Sequence, residues 1–183
     1  GGSATYNDFY ANIENIVGSG SGNNYLVGDN NSNVITASGG NNSLFGMGGN
    51  DTLDAGAGTN YLDGGQGIDT VNYSSEVANL TIDLSAGYKR GGNSTDTLVN
   101  IEVIQGGSGN DSIRGGTSGD TLYGNGGDDT IFAGSGADTI DGGSGFNTVS
   151  YFYATSGLVI DALHPQGTTN LSTLDAAGDV YTN

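Results

Sequence analysis

The chain of 183 residues contains no cysteine, no tryptophan, one proline and one methionine. Without cysteine there is no disulfide to hold a fold together, no thiol chemistry and no cysteine-based zinc site. Basic residues are almost as scarce: Lys89, Arg90 and Arg114 face 20 acidic residues, for a formal net charge of -17. A surface of that sign disfavours nucleic acid and anionic membranes and favours cations. No apolar run approaches the roughly 20 residues of a membrane-spanning helix, so membrane insertion is not expected. The one histidine, His164, stands before the one proline, Pro165, in what reads as an exposed loop. No HExxH zinc motif occurs and no Ser/His/Asp set can be built, so no enzymatic activity is expected. The N-terminus carries neither an initiating methionine nor a signal-peptide pattern, and the chain is expected to be a fragment of a larger polypeptide.

What is abundant is glycine, 36 residues, about three times its average share. It does not fall at every third position, which excludes collagen. Composition alone would suit an acidic disordered segment, but the order of the residues does not. Residues 106–150 read GGSGNDSIR, GGTSGDTLY, GNGGDDTIF, AGSGADTID, GGSGFNTVS, five nine-residue units without a slip. Their sixth places are Asp111, Asp120, Asp129, Asp138 and Asn147, and their eighth places Ile113, Leu122, Ile131, Ile140 and Val149. A fixed nonapeptide marks a repeat architecture. An earlier array runs from Ser19 to Asn72 in the same frame, with Leu26, Ile35, Leu44, Leu53, Leu62 and Val71 at the eighth places. Its sixth places are Asn24, Asn33, Asn42, Asp51, Asn60 and Asp69, mostly amide where the later array has acid.

Residues 73–105 break the period. Leu80, Ile82 and Leu84 alternate with polar residues, the signal of a half-buried strand. Gly87 to Asn93 reads as a loop, and Thr97 to Gln105 as a returning strand. Residues 151–183 repeat the break: Leu158-Val159-Ile160-Asp161 echoes Leu80-Thr81-Ile82-Asp83, and Asp179 to Asn183 echoes Asp96 to Asn100. Asp8 to Asn12 carries the same signature, so Asn12, Asn100 and Asn183 mark a longer period of 88 and then 83 residues. The expected organisation is two units, 1–105 with its array at 19–72 and capping segment at 73–105, and 106–183 with its array at 106–150 and capping segment at 151–183.

Within one unit the last three places suit a very short strand whose middle side chain points opposite to its neighbours. The first six places are rich in glycine, which accepts tight turns. Two units then make one coil, coils stack about 4.8 Å apart, and the aliphatic residues of the two walls meet inside. Residues 18 apart lie one above the other, so Asp111 stacks on Asp129 and Asp120 on Asp138. Carboxylates at that spacing repel unless a cation lies between them. Carboxylate and carbonyl oxygens without His or Cys specify a hard cation, and flexible multi-oxygen sites favour Ca²⁺ over Mg²⁺. The expected fold class is all-β, a parallel β-roll (β-solenoid) with two nonapeptides per coil.

These units resemble the GGxGxDxUx nonapeptide of the RTX (repeats-in-toxin), or haemolysin-type, calcium-binding family. The pattern recurs eleven times in frame over about half the chain. The resemblance implies several Ca²⁺ ions held in the turns of a β-roll. As ligand pairs it implies Asp111/Asp129, Asp120/Asp138 and Asp51/Asp69, with Asn147 beside Asp129 in a one-charge site and Glu102 beside Asp120. Glu14 stands likewise beside Asn33. The implied backbone ligands are Gly46, Gly48, Gly65 and Gly67 in the first array. In the second they are Gly106 and Ser108 with Asn125 and Gly127, Gly115 and Thr117 with Gly134 and Gly136, and Gly124 and Gly126 with Gly143 and Gly145. The edge formed by Asn24, Asn42 and Asn60 departs from the family pattern, and stacked amides can bond one another in a ladder without metal. That edge is expected to be empty or weak.

By the same resemblance the parent protein is secreted or at the cell surface, leaves the cell by type I secretion, and folds on extracellular Ca²⁺. An adhesin, toxin, surface-layer protein or hydrolase would suit. The second reading is a carbohydrate-binding accessory module of an extracellular polysaccharide-modifying enzyme, similar to the R-modules of alginate epimerases. A polysaccharide or cell-surface contact belongs to that reading, and the scarcity of basic residues weighs against an anionic polymer.

Thr121, Thr130, Thr139 and Thr148, with Ser112, hold the seventh place and suit exposed strand positions better than ice or mineral binding. Tyr73, Tyr151, Phe152 and Tyr153 follow the last aliphatic residue of each array and are expected to cover the end of the core. Glu76 and the paired acids are not read as a glycosidase dyad, because each array Asp already has a repeat-based role.

Overall fold

A computed structural model of the chain describes residues 12–92, 94–153 and 180–182, and among them there are strands and turns but no helix. After a lead-in strand β1 (Asn15–Val17), the first array forms β2 (Tyr25–Val27), β3 (Val34–Thr36), β4 (Ser43–Gly48), β5 (Thr52–Asp54), β6 (Gly58–Gln66) and β7 (Thr70–Asn72). The break in the period contributes β8 (Leu80–Asp83), β9 (Tyr88–Gly91), β10 (Ser94–Val99) and β11 (Val103–Gln105). The second array forms β12 (Ser112–Arg114), β13 (Thr121–Tyr123), β14 (Thr130–Phe132), β15 (Thr139–Asp141) and β16 (Thr148–Ser150), and β17 (Val180–Thr182) pairs with β15.

Within the arrays, successive strands alternate between two walls. One sheet runs β1-β3-β5-β7-β11-β13-β15-β17, the other β16-β14-β12-β8-β9-β10-β6-β4-β2. Inside each array every ladder is parallel and joins residues 18 apart, as Ile35 with Leu53, Ile113 with Ile131 and Leu122 with Ile140. This is a parallel β-roll of two nonapeptides per coil. Its core is the column of eighth-place residues. Nine of the eleven are buried, and Leu26 and Val149, in the outer coils, are half-buried. Each three-residue strand turns its middle side chain inward, because its neighbours fall on the opposite side of the pleat.

Both sheets continue through the break. β7 pairs directly with β11, whereas β6 reaches β12 through β10, β9 and β8. One strand would keep the regular alternation at this point; three are present, so the segment after the first array is built into one wall between the arrays.

Two sequence expectations change there. Gly87 to Asn93 is not simply a loop, since β9 occupies Tyr88–Gly91 antiparallel to both its neighbours. An antiparallel strand needs no crossover and leaves no nonapeptide trace. Thr97 to Gln105 is not one strand either: Asn100, with φ 51°, turns the chain between β10 and β11. Asn12, at the matching point before β1, has φ 57°. The long period therefore has a backbone counterpart, because asparagine is among the few residues other than glycine that tolerate this conformation. Tyr73, expected at an end of the core, is buried within it at the join, and Tyr151 is half-buried against the last coil. Phe152 and Tyr153 are exposed. The echo at Asn183 and the segment 154–179 lie outside the described residues.

Candidate metal sites

In six of the eleven units the turns between strands bring the second and fourth places into the left-handed region. Met47 and Gly49 have φ 81° and 93°, and Asn125 and Gly127 have 69° and 108°. At Gly127 an added methyl would run into the Gly109 carbonyl of the coil below, so both backbone angle and space demand glycine.

The sixth-place side chains stack as expected, and they do so through directed hydrogen bonds. One carboxylate oxygen of Asp51, Asp69, Asp129 and Asp138 accepts the amide of the sixth place one coil earlier. Asn33 N donates to Asp51 Oδ1 at 2.7 Å and Asp51 N to Asp69 Oδ1 at 2.8 Å. Asp69 N donates to Glu102 Oε2 at 2.9 Å, which places Glu102 in this column. On the same edge Asp120 N donates to Asp138 Oδ1 at 2.8 Å. On the other edge Asp111 N donates to Asp129 Oδ1 at 2.7 Å and Asp129 N to Asn147 Oδ1 at 2.9 Å.

The second carboxylate oxygens decide what the turns can hold. Asp111 Oδ2 accepts Gly107 N at 2.8 Å and Asp120 Oδ2 accepts Gly116 N at 2.6 Å. Asp51, Asp69 and Asp129 are buried, and their Oδ2 atoms have no hydrogen-bond partner. An unsatisfied buried oxygen on a charged group is costly. A methyl added at Gly46 would collide with both Asp51 Oδ2 and the Gly64 carbonyl of the next coil. At Gly124 it would meet Asp129 Oδ2 and the Gly142 carbonyl, at Gly106 Asp111 Oδ2 and the Gly124 carbonyl, and at Gly115 Asp120 Oδ2 and the Ala133 carbonyl. Each opening residue thus leaves a space into which a carboxylate and a carbonyl both project. Among the described residues no three acidic or imidazole side chains converge. The donor set is paired carboxylates with carbonyls, all oxygen, and it fits Ca²⁺.

Burial raises the pKa of Asp51, Asp69, Asp111 and Asp129 in the metal-free chain, and hydrogen bonds from backbone amides offset part of the rise. Asp120 is pushed up to about 6, by burial first and then by the charge of Glu102, against the hydrogen bond from Gly116. Glu102 is itself raised, mainly by burial. A cavity of about 160 Å³ adjoins this pair, walled also by Asn100, Thr117, Ser118 and Leu84.

The asparagine edge is built differently. Asn24 Nδ2 donates to Asn42 Oδ1 at 2.8 Å, Asn42 Nδ2 to Asn60 Oδ1 at 3.1 Å, and Asn60 Nδ2 to Asp96 Oδ1 at 2.7 Å. The same amides donate to turn carbonyls, Asn42 Nδ2 to Ala55 O at 3.0 Å and Asn24 Nδ2 to Gly22 O at 2.8 Å. Amide hydrogens therefore point where a cation would have to sit. Two sites of the second array carry a milder form of this competition. Asn147 Nδ2 donates to Gly143 O at 3.2 Å, and Asn125 Nδ2 to Gly106 O at 2.7 Å. Near the N-terminus, Asn33 Nδ2 bonds Ile13 O at 3.1 Å, while Glu14 is exposed.

A second ladder escapes the sequence reading. Fifth-place side chains accept the fifth-place amide one coil later, opposite in direction to the sixth-place bonds. Asn41 N donates to Asn23 Oδ1 at 2.8 Å, Thr59 N to Asn41 Oδ1 at 2.9 Å, Asp128 N to Asn110 Oδ1 at 2.9 Å and Phe146 N to Asp128 Oδ1 at 2.8 Å. Its trace in the sequence is the polar fifth places Asn23, Ser32, Asn41, Asn50, Asn110 and Asp128, which Gly119 and Ala137 interrupt on one edge of the second array.

A parallel roll with oxygen-lined, carboxylate-paired turns defines a calcium-binding repeat module. The model of the RTX calcium-binding nonapeptide repeat matches this chain in four copies, at residues 18–53, 36–71, 100–118 and 115–149, together more than half its length. The chain belongs to that family. No curated protein matches it.

At Asp129, a candidate ligand, the charge of the side chain can be separated from its hydrogen bond. Asp129→Asn keeps an oxygen for Asp111 N, as Asn147 does for Asp129 N, and is expected to fold at saturating Ca²⁺ with a midpoint raised about tenfold. Asp129→Ala also orphans the buried Asp111 amide and should cost a further 1–3 kcal/mol, roughly. Circular dichroism followed through a Ca²⁺ titration separates the two.

Proposed function

We propose that this chain is a Ca²⁺-dependent folding and structural module of a larger protein that works outside the cell or on its surface. The observation that carries this reading is the set of buried, unpartnered carboxylate oxygens on Asp51, Asp69 and Asp129, each a charge that needs a cation. The ligands are Asp111/Asp129, Asp120/Asp138 and Asp51/Asp69, Asn147 with Asp129, and Glu102 with Asp120, completed by carbonyls of the turn residues carried over from the family. Bound Ca²⁺ supplies positive charge between stacked carboxylates. A chain with no disulfides whose second array stays open where Ca²⁺ is scarce suits export through a type I system, with folding completed where Ca²⁺ is plentiful. Residues 1–105 and 106–183 act as two units that differ in how much metal they require.

Calorimetric titration of the chelated chain tests the reading. Ca²⁺ should bind at several sites and raise the β-sheet signal together with the heat, and Mg²⁺ at equal concentration should do neither. Equal responses to the two ions would contradict it. Glu102→Gln should remove the site at the join while the remaining sites keep their affinity, a loss visible in the stoichiometry.

One observation favours the carbohydrate reading. Tyr25, Phe45 and Tyr61 form a row on the outer face of one wall, with centroids 5.2 and 5.6 Å apart. With net charge -17, a neutral glycan is the class that fits. A glycan array at fixed Ca²⁺, comparing the chain with Tyr25→Ala/Tyr61→Ala, tests it.

A further inference from the structure

Lys89 is fully buried, a rare condition for lysine, and it belongs to no nonapeptide. It lies on the inserted strand β9, where cross-strand pairing sets it between Asp96 on β10 and Ile82 on β8. Its Nζ donates to Gly91 O at 3.1 Å and to Ser94 Oγ, lies 3.9 Å from Glu76 Oε1, and stands 4.7 Å over the Tyr73 ring. Asp96 pairs in register with Asn60 and so takes the sixth place of the coil that follows the asparagine edge. Its carboxylate accepts Asn60 Nδ2 at 2.7 Å, the Tyr73 hydroxyl at 3.0 Å and the Ser94 hydroxyl at 3.4 Å. Asp51, Asp69 and Asp129 each keep an unsatisfied oxygen, whereas both oxygens of Asp96 are bonded. The field of the ammonium also reaches Asp96 on β10 and Asp111 ahead of β12, the sixth-place acids that flank β9 and β8 on that edge.

We propose that the Lys89 ammonium is a tethered cation that does at the join what Ca²⁺ does in the aspartate turns. The inserted hairpin and the amide edge stacked on it then hold together when Ca²⁺ is absent. The inference rests on the reading that the aspartate turns need Ca²⁺. It makes the join a metal-independent nucleus, and repeat architectures propagate by nearest-neighbour stacking from such a nucleus.

Hydrogen exchange read by mass spectrometry, in chelator and then in Ca²⁺, tests this. In chelator, residues 80–99 with β4 and β6 should stay protected while 111–150 exchange freely, and Ca²⁺ should restore 111–150. Lys89→Met should lower the chelator-resistant protection of 80–99 by about a hundredfold or more, because it strands the buried charge of Asp96. Lys89→Met/Asp96→Asn should recover it, since the amide extends the asparagine ladder and leaves no charge to compensate. Wild-type protection in Lys89→Met, or no recovery in the double variant, overturns the proposal. So does free exchange at 80–99 while 111–150 still responds to Ca²⁺. Protection of 111–150 in chelator overturns the calcium reading and the proposal with it.

Discussion

Chelation of Ca²⁺ is expected to melt the second array while much of the first survives. Asp111, Asp120, Asp129 and Asp138 are all buried, in two stacked pairs. Without a cation each pair is two like charges about 4.8 Å apart, in surroundings that screen poorly. The first array carries one such pair, Asp51 and Asp69, and its other edge is a self-satisfied amide ladder. Magnitudes decide the case. A site held at a hundred times its dissociation constant contributes about 2.7 kcal/mol, so four sites contribute about 11 kcal/mol. That is comparable to the whole stability of an ordinary domain, roughly 5–15 kcal/mol. Calorimetry should show a large transition at saturating Ca²⁺ and only a smaller one in chelator. An unchanged melting profile would refute the expectation.

Acid is expected to replace calcium in part. In the metal-free chain burial raises the folded pKa of Asp51, Asp69, Asp111 and Asp129, and that of Asp120 to about 6. A carboxylate raised in this way binds its proton more tightly folded than unfolded. Its stabilising contribution is complete below the unfolded value, near 3.9, and is lost as pH rises through the folded pKa. Lowering the pH from about 7 to about 5 in chelator should therefore increase β-sheet content, still above the isoelectric point of about 4.1. In saturating Ca²⁺ the metal favours the charged carboxylates and protons compete with it, so the same acidification should destabilise the fold. Denaturant midpoints across that range should have opposite slopes with and without metal. Parallel slopes would show that these carboxylates do not hold the ion.

The core was legible from the eighth places, because a single aliphatic residue every nine positions leaves no other way to bury a continuous column. The stacking of Asp111 on Asp129 was legible for the same reason: it follows from the 18-residue coil. Lys89 was not, because a lysine between Tyr88 and Arg90 reads as solvated, and only the inserted hairpin turns it inward. The fifth-place ladder stayed hidden because its bonds involve one side chain and one backbone amide, so Ile68 and Phe146 can each end a run without carrying a polar signal. Met47 conceals a left-handed turn position that glycine marks at Gly65 in the next coil.

The most direct test is the position of the metal. A crystal structure of the chain grown in Ca²⁺, with anomalous scattering used to locate the ions, should show them between Asp111 and Asp129, between Asp120 and Asp138, and between Asp51 and Asp69, with none between Asn24 and Asn42. Full occupancy between Asn24 and Asn42, or no ion between Asp111 and Asp129, would contradict the account.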